Sequence, residues 1–98
     1  MRLIYHPEAE AELVEAAEFY ESRSTGLGTR FLKEFDATVT EMQASPSLWP
    51  VIEGDLRGRT MERFPFVIYY RVTDHQLRIL VVKHHSRHPD YWRHRLDD

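Results

Sequence analysis

The spacing of hydrophobic positions changes along the chain, from every second residue to every third or fourth and back again. Met1–Tyr5 is short and apolar, which suits a strand, and from Glu8 onward apolar residues recur at helical spacing between glutamates. A second helical stripe begins after Ser24-Thr25-Gly26, with Thr25 as its candidate N-cap, and ends before Ser45-Pro46. The pattern therefore predicts a strand followed by an antiparallel hairpin of two helices.

Strand-like spacing returns in the second half of the chain. The apolar runs Phe66–Val72 and Leu77–Val82, joined by a short polar link, predict a β-hairpin. Residues 46–55 are typical of a loop, and Pro89 indicates a short terminal helical turn. A further strand is predicted before the hairpin, and the period-2 rule places its alternate residues on one face, namely Arg57, Arg59, Met61 and Arg63.

These elements predict an α+β fold of order β-α-α-β-β-β, with the helices on one face of a small, mostly antiparallel twisted sheet. The other face, with the arginines, is expected to stay partly open. A chain of 98 residues with 42% hydrophobic content is large enough for one core, so residues 1–98 are predicted to form a single domain.

Composition and charge narrow the possible partners. The chain has no cysteine, no leader-like apolar start and no run of about 20 apolar residues, so we expect a soluble, cytoplasmic protein without a membrane partner. The net charge is −3, yet residues 57–96 hold nine basic and three acidic residues, which gives that part a charge of +6. This asymmetry indicates a polyanionic or acidic partner, although small proteins often have unevenly charged surfaces.

The histidine-rich segment after the second hairpin strand has several chemical interpretations. His84, His85 and His88 lack carboxylates at ligand-like spacing, so no metal and no cofactor are predicted. Metal-free cleavage of RNA through its 2′-OH is possible, because histidine transfers protons near neutral pH and Arg87 or Lys83 can hold the phosphate. Alternatively, this basic and aromatic segment binds an acidic protein groove without catalysis. Solvated or paired side chains would explain the same residues.

Short motifs in a fixed order resemble those of a known superfamily. They include Leu27-Gly28, Ser45-Pro46, Arg63-Phe64-Pro65-Phe66, Tyr69-Tyr70-Arg71-Val72 and the terminal series His84, Arg87, Pro89 and Tyr91-Trp92. Over nearly its whole length the chain resembles the RelE/ParE superfamily of type II toxin–antitoxin toxins, also called plasmid stabilisation proteins. The resemblance implies two helices packed on a small twisted sheet.

The resemblance implies one of two targets. ParE-like members inhibit DNA gyrase, RelE-like members cleave mRNA on the ribosome, and both are neutralised by a cognate antitoxin. Arg87 falls where RelE-like nucleases have an arginine, but Val67 stands where a central-strand arginine is expected. The missing arginine and the long helical hairpin favour a ParE-like gyrase inhibitor, with the ribonuclease and an inactivated relative that only binds antitoxin as alternatives.

Two sets of candidate residues follow. If the protein is a ribonuclease, the catalytic candidates are Arg87, His85 and Tyr91. The candidates for binding the target or the antitoxin are Arg57, Arg59, Arg63, Arg71, Lys83, Arg87, His88, Tyr91, Trp92 and Arg93.

Overall fold

Two long helices pack on one side of a five-stranded sheet in the computed structural model, which describes residues 1–97. The elements, in chain order, are β1 (Arg2–Tyr5), α1 (Pro7–Arg23), α2 (Leu27–Ala44), β2 (Val51–Glu53), β3 (Leu56–Thr60), β4 (Phe66–Thr73), β5 (Gln76–His84) and a terminal 3₁₀ helix (Arg93–Asp97). The predicted order and fold class are confirmed. The segment 46–55 is not entirely a loop, because it contains the short edge strand β2. Neither long helix combines the length and the apolar character needed to cross a membrane, judged over the described residues.

The strands are arranged in the order β1-β5-β4-β3-β2, and only β1 runs parallel to its neighbour. The predicted hairpin is confirmed as β4–β5. Thr73 pairs with Gln76, so the turn contains only Asp74 and His75, both with positive φ. Two such residues match the twist of the flanking strands. In this strand order β5 is a central strand, with β4 on one side and the short β1 on the other.

The junction between the helices is closed by a side chain of α1. The carboxylate of Glu21 accepts hydrogen bonds from the N–H groups of Gly26 and Gly28, at 2.9 and 3.0 Å. Gly26, with a φ of 87°, is the N-cap of α2. The prediction that Thr25 caps this helix is therefore wrong. The carboxylate of Glu21, from the preceding helix, accepts the hydrogen bonds that the hydroxyl of Thr25 was expected to accept. The left-handed backbone of the cap position favours glycine.

Gly28 marks the closest approach of the two helices. A Cβ added at this position would lie 2.5 Å from the carbonyl oxygen of Ala17. We expect Gly28→Ala to lower the free energy of unfolding by about 1 to 3 kcal/mol, because the helices would have to separate. Urea unfolding followed by circular dichroism measures the change, with Lys33→Ala on the exposed side of α2 as control. Alanine normally favours a helix over glycine, so a stabilised Gly28→Ala protein would contradict the close contact.

Each face of the sheet carries a buried core, and different parts of the chain cover the two faces. The main core lies between the helices and the sheet and includes Phe31, Phe35, Met42, Ile68 and Ile79. On the far face, opposite the helices, a second core contains Leu56, Leu80, Val81 and Trp92. A bulge in β5 makes this possible, because Tyr70 pairs with Ile79 and Tyr69 with Val81, which leaves Leu80 as the extra residue. The terminal segment thus covers part of the face that was expected to stay partly open, and a depression beside Lys83 and His85 remains on the same face.

Candidate functional site

Residues 80–84 of β5 have no neighbouring strand on the β1 side among the described residues, and we call this the free side of β5. β1 pairs with β5 only as far as Ile79, but β5 continues to His84. Beyond that point side chains replace the missing strand. The N–H of Val82 donates to Oε1 of Glu12 at 3.0 Å, and the carbonyl of Leu80 accepts from Nη1 of Arg95 at 2.9 Å. Polar backbone atoms at a buried edge need such partners.

Glu12, Tyr91 and Arg95 form a connected group, here called the edge cluster. Nη1 and Nη2 of Arg95 lie 2.8 and 3.0 Å from the two carboxylate oxygens of Glu12. The two side chains are only 3% and 11% exposed, so the pair is nearly buried. The hydroxyl of Tyr91 donates to the second oxygen of the same carboxylate. The carboxylate of Glu12 is therefore bonded to a strand edge, a guanidinium and a phenol at once.

The electrostatics of the edge cluster favour a charged pair beside a neutral phenol. Burial raises the pKa of Tyr91 well above its usual value, and the hydrogen bond to Glu12 raises it further. Burial by itself would lower the pKa of Arg95, but the hydrogen bonds and charge of Glu12 outweigh it, and the pKa is raised. Tyr91 thus keeps its proton and Arg95 its charge across the physiological range of pH.

A groove of about 320 Å³ follows the free side of β5, and we call it the edge groove. Its α1 wall includes Ala16 and Phe19, and its β5 wall includes Val82 and His84. Arg87 lies at the rim. Phe19 is 51% exposed although it is a large apolar side chain. The groove therefore combines apolar walls with a strand edge that no described strand pairs with.

The three candidate catalytic residues do not line one depression together. The guanidinium of Arg87 lies 4.0 Å from the ring centroid of Tyr91, so these two residues are together at the edge cluster. His85 instead lines a depression of about 360 Å³ on the far face, beside Val67, Tyr69 and Lys83. Arg87 and Tyr91 are therefore in contact, whereas His85 lines a different depression from Arg87.

The arginines of β3 face the helices, and the prediction that they occupy the open face is wrong. Arg57 and Arg59 pair with Tyr70 and Ile68, which belong to the main core, and cross-strand partners share a face. Both arginines hold the loop between α2 and β2. Arg57 donates to the carbonyl of Trp49 at 2.8 Å, and the guanidinium of Arg59 lies 4.2 Å from the Trp49 ring centroid.

Arg63 does not continue this row of arginines. β3 ends at Thr60, and Arg63 lies exposed in the loop that follows. Its backbone N–H donates to the carboxylate of Glu34 at 3.1 Å. Of the three arginines predicted to act together, two stabilise a loop and one remains on the surface.

The other binding candidates differ in accessibility. Arg71 lies on the far face and donates to the carbonyl of Leu96 at 3.1 Å, and Lys83 is only 8% exposed. Arg93 is half exposed and paired with Glu53. Trp92 is 2% exposed and belongs to the second core, so its side chain cannot contact a partner in this conformation.

Two histidines of the segment after β5, His84 and His88, accept hydrogen bonds from nearby backbone N–H groups. Nδ1 of His84 accepts the N–H of Ser86 at 3.0 Å, and Nδ1 of His88 accepts the N–H of Asp90 at 3.1 Å. Across residues 1–97, no three His, Asp or Glu side chains are grouped so that they could hold a metal ion.

Comparisons with known proteins identify the fold and the family. The chain matches the family described as ParE toxin of type II toxin–antitoxin system, parDE, over residues 3–89. A solved chain described as part of the chromosomal ParDE TA system from P. aeruginosa has a similar fold, with a TM-score of 0.62 and 22% sequence identity. The match covers 86% of this chain and 95% of that chain. No curated protein matches significantly. Because the family match spans most of its length, this chain belongs to the ParE toxin family of type II toxin–antitoxin systems.

Proposed function

We propose that the protein inhibits growth by binding DNA gyrase and that a cognate antitoxin neutralises it. Family membership supports a toxin, and gyrase is the target that a ParE-like sequence implies. The choice of binding over RNA cleavage rests on the positions of His85 and Arg87, which line two different depressions, and on the hydrogen bond that engages Tyr91 with Glu12.

Cleavage through the 2′-OH needs a base, an acid and a cation within reach of one phosphate. Arg87 and Tyr91 are close enough to act on one phosphate, but the Tyr91 hydroxyl donates a hydrogen bond to Glu12 and the pKa of Tyr91 is raised. A phenol held in this way is a poor acid or base at neutral pH. His85 has the right chemistry but lines the depression on the far face and not the edge groove that Arg87 lines. These facts favour an inhibitor that works by surface contact.

Inducing the chain alone from a tightly repressed promoter tests the proposal. We expect growth arrest together with loss of gyrase supercoiling activity in extracts, and no new cleavage of ribosome-bound mRNA in primer-extension assays. His85→Ala should leave the growth arrest unchanged, because an exposed histidine on the far face has no part in this mechanism. Coexpression of the protein encoded beside the toxin gene should restore growth.

The alternatives give different results in the same assays. Cleavage of ribosome-bound mRNA without inhibition of gyrase, abolished by His85→Ala and by Arg87→Ala, would overturn the proposal in favour of a ribonuclease. A soluble and folded protein that causes no arrest would indicate an inactive relative that only binds the antitoxin. Circular dichroism of each purified variant shows whether a loss of toxicity comes from unfolding.

A further inference from the structure

We infer that Ser86 is a nucleophile that accepts an acyl group from an ester, with His84 as its base and the edge groove as the place of the acyl chain. The hydroxyl oxygen of Ser86 lies 2.8 Å from Nδ1 of His84. Both residues line the edge groove. A hydroxyl at hydrogen-bond distance from an imidazole, beside a cavity, is the arrangement that activates a serine for acyl transfer. The inference is independent of gyrase and of the antitoxin, because it concerns a reaction of this chain alone.

The backbone determines which group donates in this pair. Nδ1 of His84 accepts the backbone N–H of Ser86 at 3.0 Å, so the lone pair of the neutral ring is on Nδ1 and its hydrogen is on Nε2. The hydroxyl of Ser86 therefore donates to Nδ1. General-base catalysis requires this direction, because the hydroxyl proton moves to the ring when the oxygen attacks. Histidine is suited to accept such a proton near neutral pH.

The end of β5 holds the two side chains in place. β5 ends at His84, and the N–H of Arg87 donates to the carbonyl of His84 at 3.0 Å, which closes a tight turn with Ser86 at its third position. The ring of His84 lies edge-on to that of its cross-strand partner Phe66, with 5.1 Å between the ring centroids. Ser86 is exposed, so a substrate can reach its hydroxyl. The pair is thus both positioned and accessible.

The lining of the edge groove favours an ester with an apolar acyl chain over a phosphorylated donor. Phe19 and Val82 are part of its apolar walls, and a volume of about 320 Å³ accommodates a short acyl chain. Among the described residues that line the groove, Arg87 is the single Lys or Arg, and Glu12 and Glu15 line it as well. One cation beside two carboxylates disfavours a polyphosphate. It can still stabilise the one negative charge that develops on the carbonyl oxygen of an ester.

The acyl transfer exchanges one bond for another. Oγ of Ser86 bonds to the carbonyl carbon of the ester while its proton moves to Nδ1 of His84. The bond from that carbon to the alcohol oxygen then breaks, and the proton passes from Nδ1 to this oxygen. The products are an acylated Ser86 and an alcohol, and nothing is oxidised or reduced.

The probes p-nitrophenyl acetate and p-nitrophenyl hexanoate test the nucleophile on the purified full chain. We expect an initial release of about one nitrophenol per chain, with the acyl group on Ser86 in peptide mass spectra. Ser86→Ala should abolish this label. Ser22→Ala is the matched control and should keep it, because the exposed hydroxyl of Ser22 donates to the carbonyl of Phe19 at 2.6 Å instead of to an imidazole.

Two further variants test the base and the groove. In His84→Asn the amide oxygen can accept the same hydrogen bonds but cannot carry the proton, so acylation should be at least about tenfold slower. Phe19→Ser should slow the hexanoate reaction at least about fivefold and the acetate reaction less than about twofold, because the longer chain covers more apolar surface. Val14→Ser should change neither rate, since Val14 is as exposed as Phe19 but does not line the groove.

The outcomes that would overturn the inference are specific. If Ser86 is not acylated, or if His84→Asn reacts as fast as the unaltered chain, the hydrogen bond between Ser86 and His84 only shapes the turn. An unchanged hexanoate rate in Phe19→Ser would overturn the edge groove as the place of the acyl chain. Circular dichroism verifies that each variant is folded. None of these results bears on gyrase inhibition, which the growth and supercoiling assays test separately.

Discussion

Arg95→Met is expected to lower the free energy of unfolding by about 3 to 5 kcal/mol, the range for breaking a buried ion pair from one side. The substitution removes both bonds to Glu12 and the bond to the Leu80 carbonyl. It leaves the Glu12 carboxylate nearly buried without its cation. Small domains have a total stability of about 5 to 15 kcal/mol, so the loss would be a large part of it. Urea unfolding followed by circular dichroism measures the change.

Two further variants distinguish the loss of the buried ion pair from a general effect of removing a positive charge. Arg93→Met removes a guanidinium two residues away that is 47% exposed, and should lower the stability much less than Arg95→Met. The double variant Glu12→Leu/Arg95→Met removes both charges and should recover part of the stability lost in Arg95→Met, because no unpaired charge remains. Equal losses for Arg93→Met and Arg95→Met would contradict the buried pair.

The edge cluster could not be predicted from the sequence. Glu12 belongs to the row of glutamates along α1, and in the sequence it is indistinguishable from its exposed neighbours Glu10 and Glu15. Its partner Arg95 follows 83 positions later. Local periodicity shows which face of a helix is polar. It does not show that one glutamate of that face accepts a backbone hydrogen bond from β5, beyond the point where β1 stops pairing with it. The only local signal is the position of Arg95 three residues after Trp92, on a terminal turn that is partly buried.

The sequence also could not predict on which face of the sheet the β3 arginines lie. Alternation correctly places Arg57 and Arg59 on one face and Leu56 and Gly58 on the other. The choice between the faces assumed that only the helix side is buried. Because the terminal segment forms a second core, Leu56 is buried on the far face, and the arginines face the helices at the margin of the main core. Because each face of the sheet carries a buried core, burial does not distinguish the helix side from the far side, and the prediction depended on that difference.

Helices and the hairpin were predictable because their signals are local. The apolar stripe of α2 supplies Phe31, Phe35 and Met42 to the main core, as its helical spacing requires. The β4–β5 hairpin follows from two apolar runs and a short polar link. Trp92 shows the opposite case. Most residues of 83–93 are polar or charged, so the sequence suggested that Trp92 is a surface anchor, whereas the fold packs it against strands that are distant in the chain.

Trp92→Ala is therefore expected to act on the fold before it acts on any partner. The indole is 2% exposed, packs with Leu80 and Val81, and lies edge-on to Tyr69 with 5.1 Å between ring centroids. Removing it should cost about 3 to 5 kcal/mol, because the second core loses its largest side chain and keeps a cavity.

Urea unfolding followed by circular dichroism tests this expectation, since the substitution also removes one of the two fluorescent tryptophans. Leu48→Ala, at a position that is 66% exposed, is the control and should remain within about 0.5 kcal/mol of the unaltered protein. Trp92→Phe should recover much of the loss, because a smaller ring still fills part of the space. If Trp92→Ala were as stable as the control but lost binding to gyrase, the residue would be a surface anchor as the sequence suggested, and the far face would be open. A large loss of stability would instead make Trp92 the residue that fixes the terminal segment on the sheet, and with it the edge cluster that closes the free side of β5.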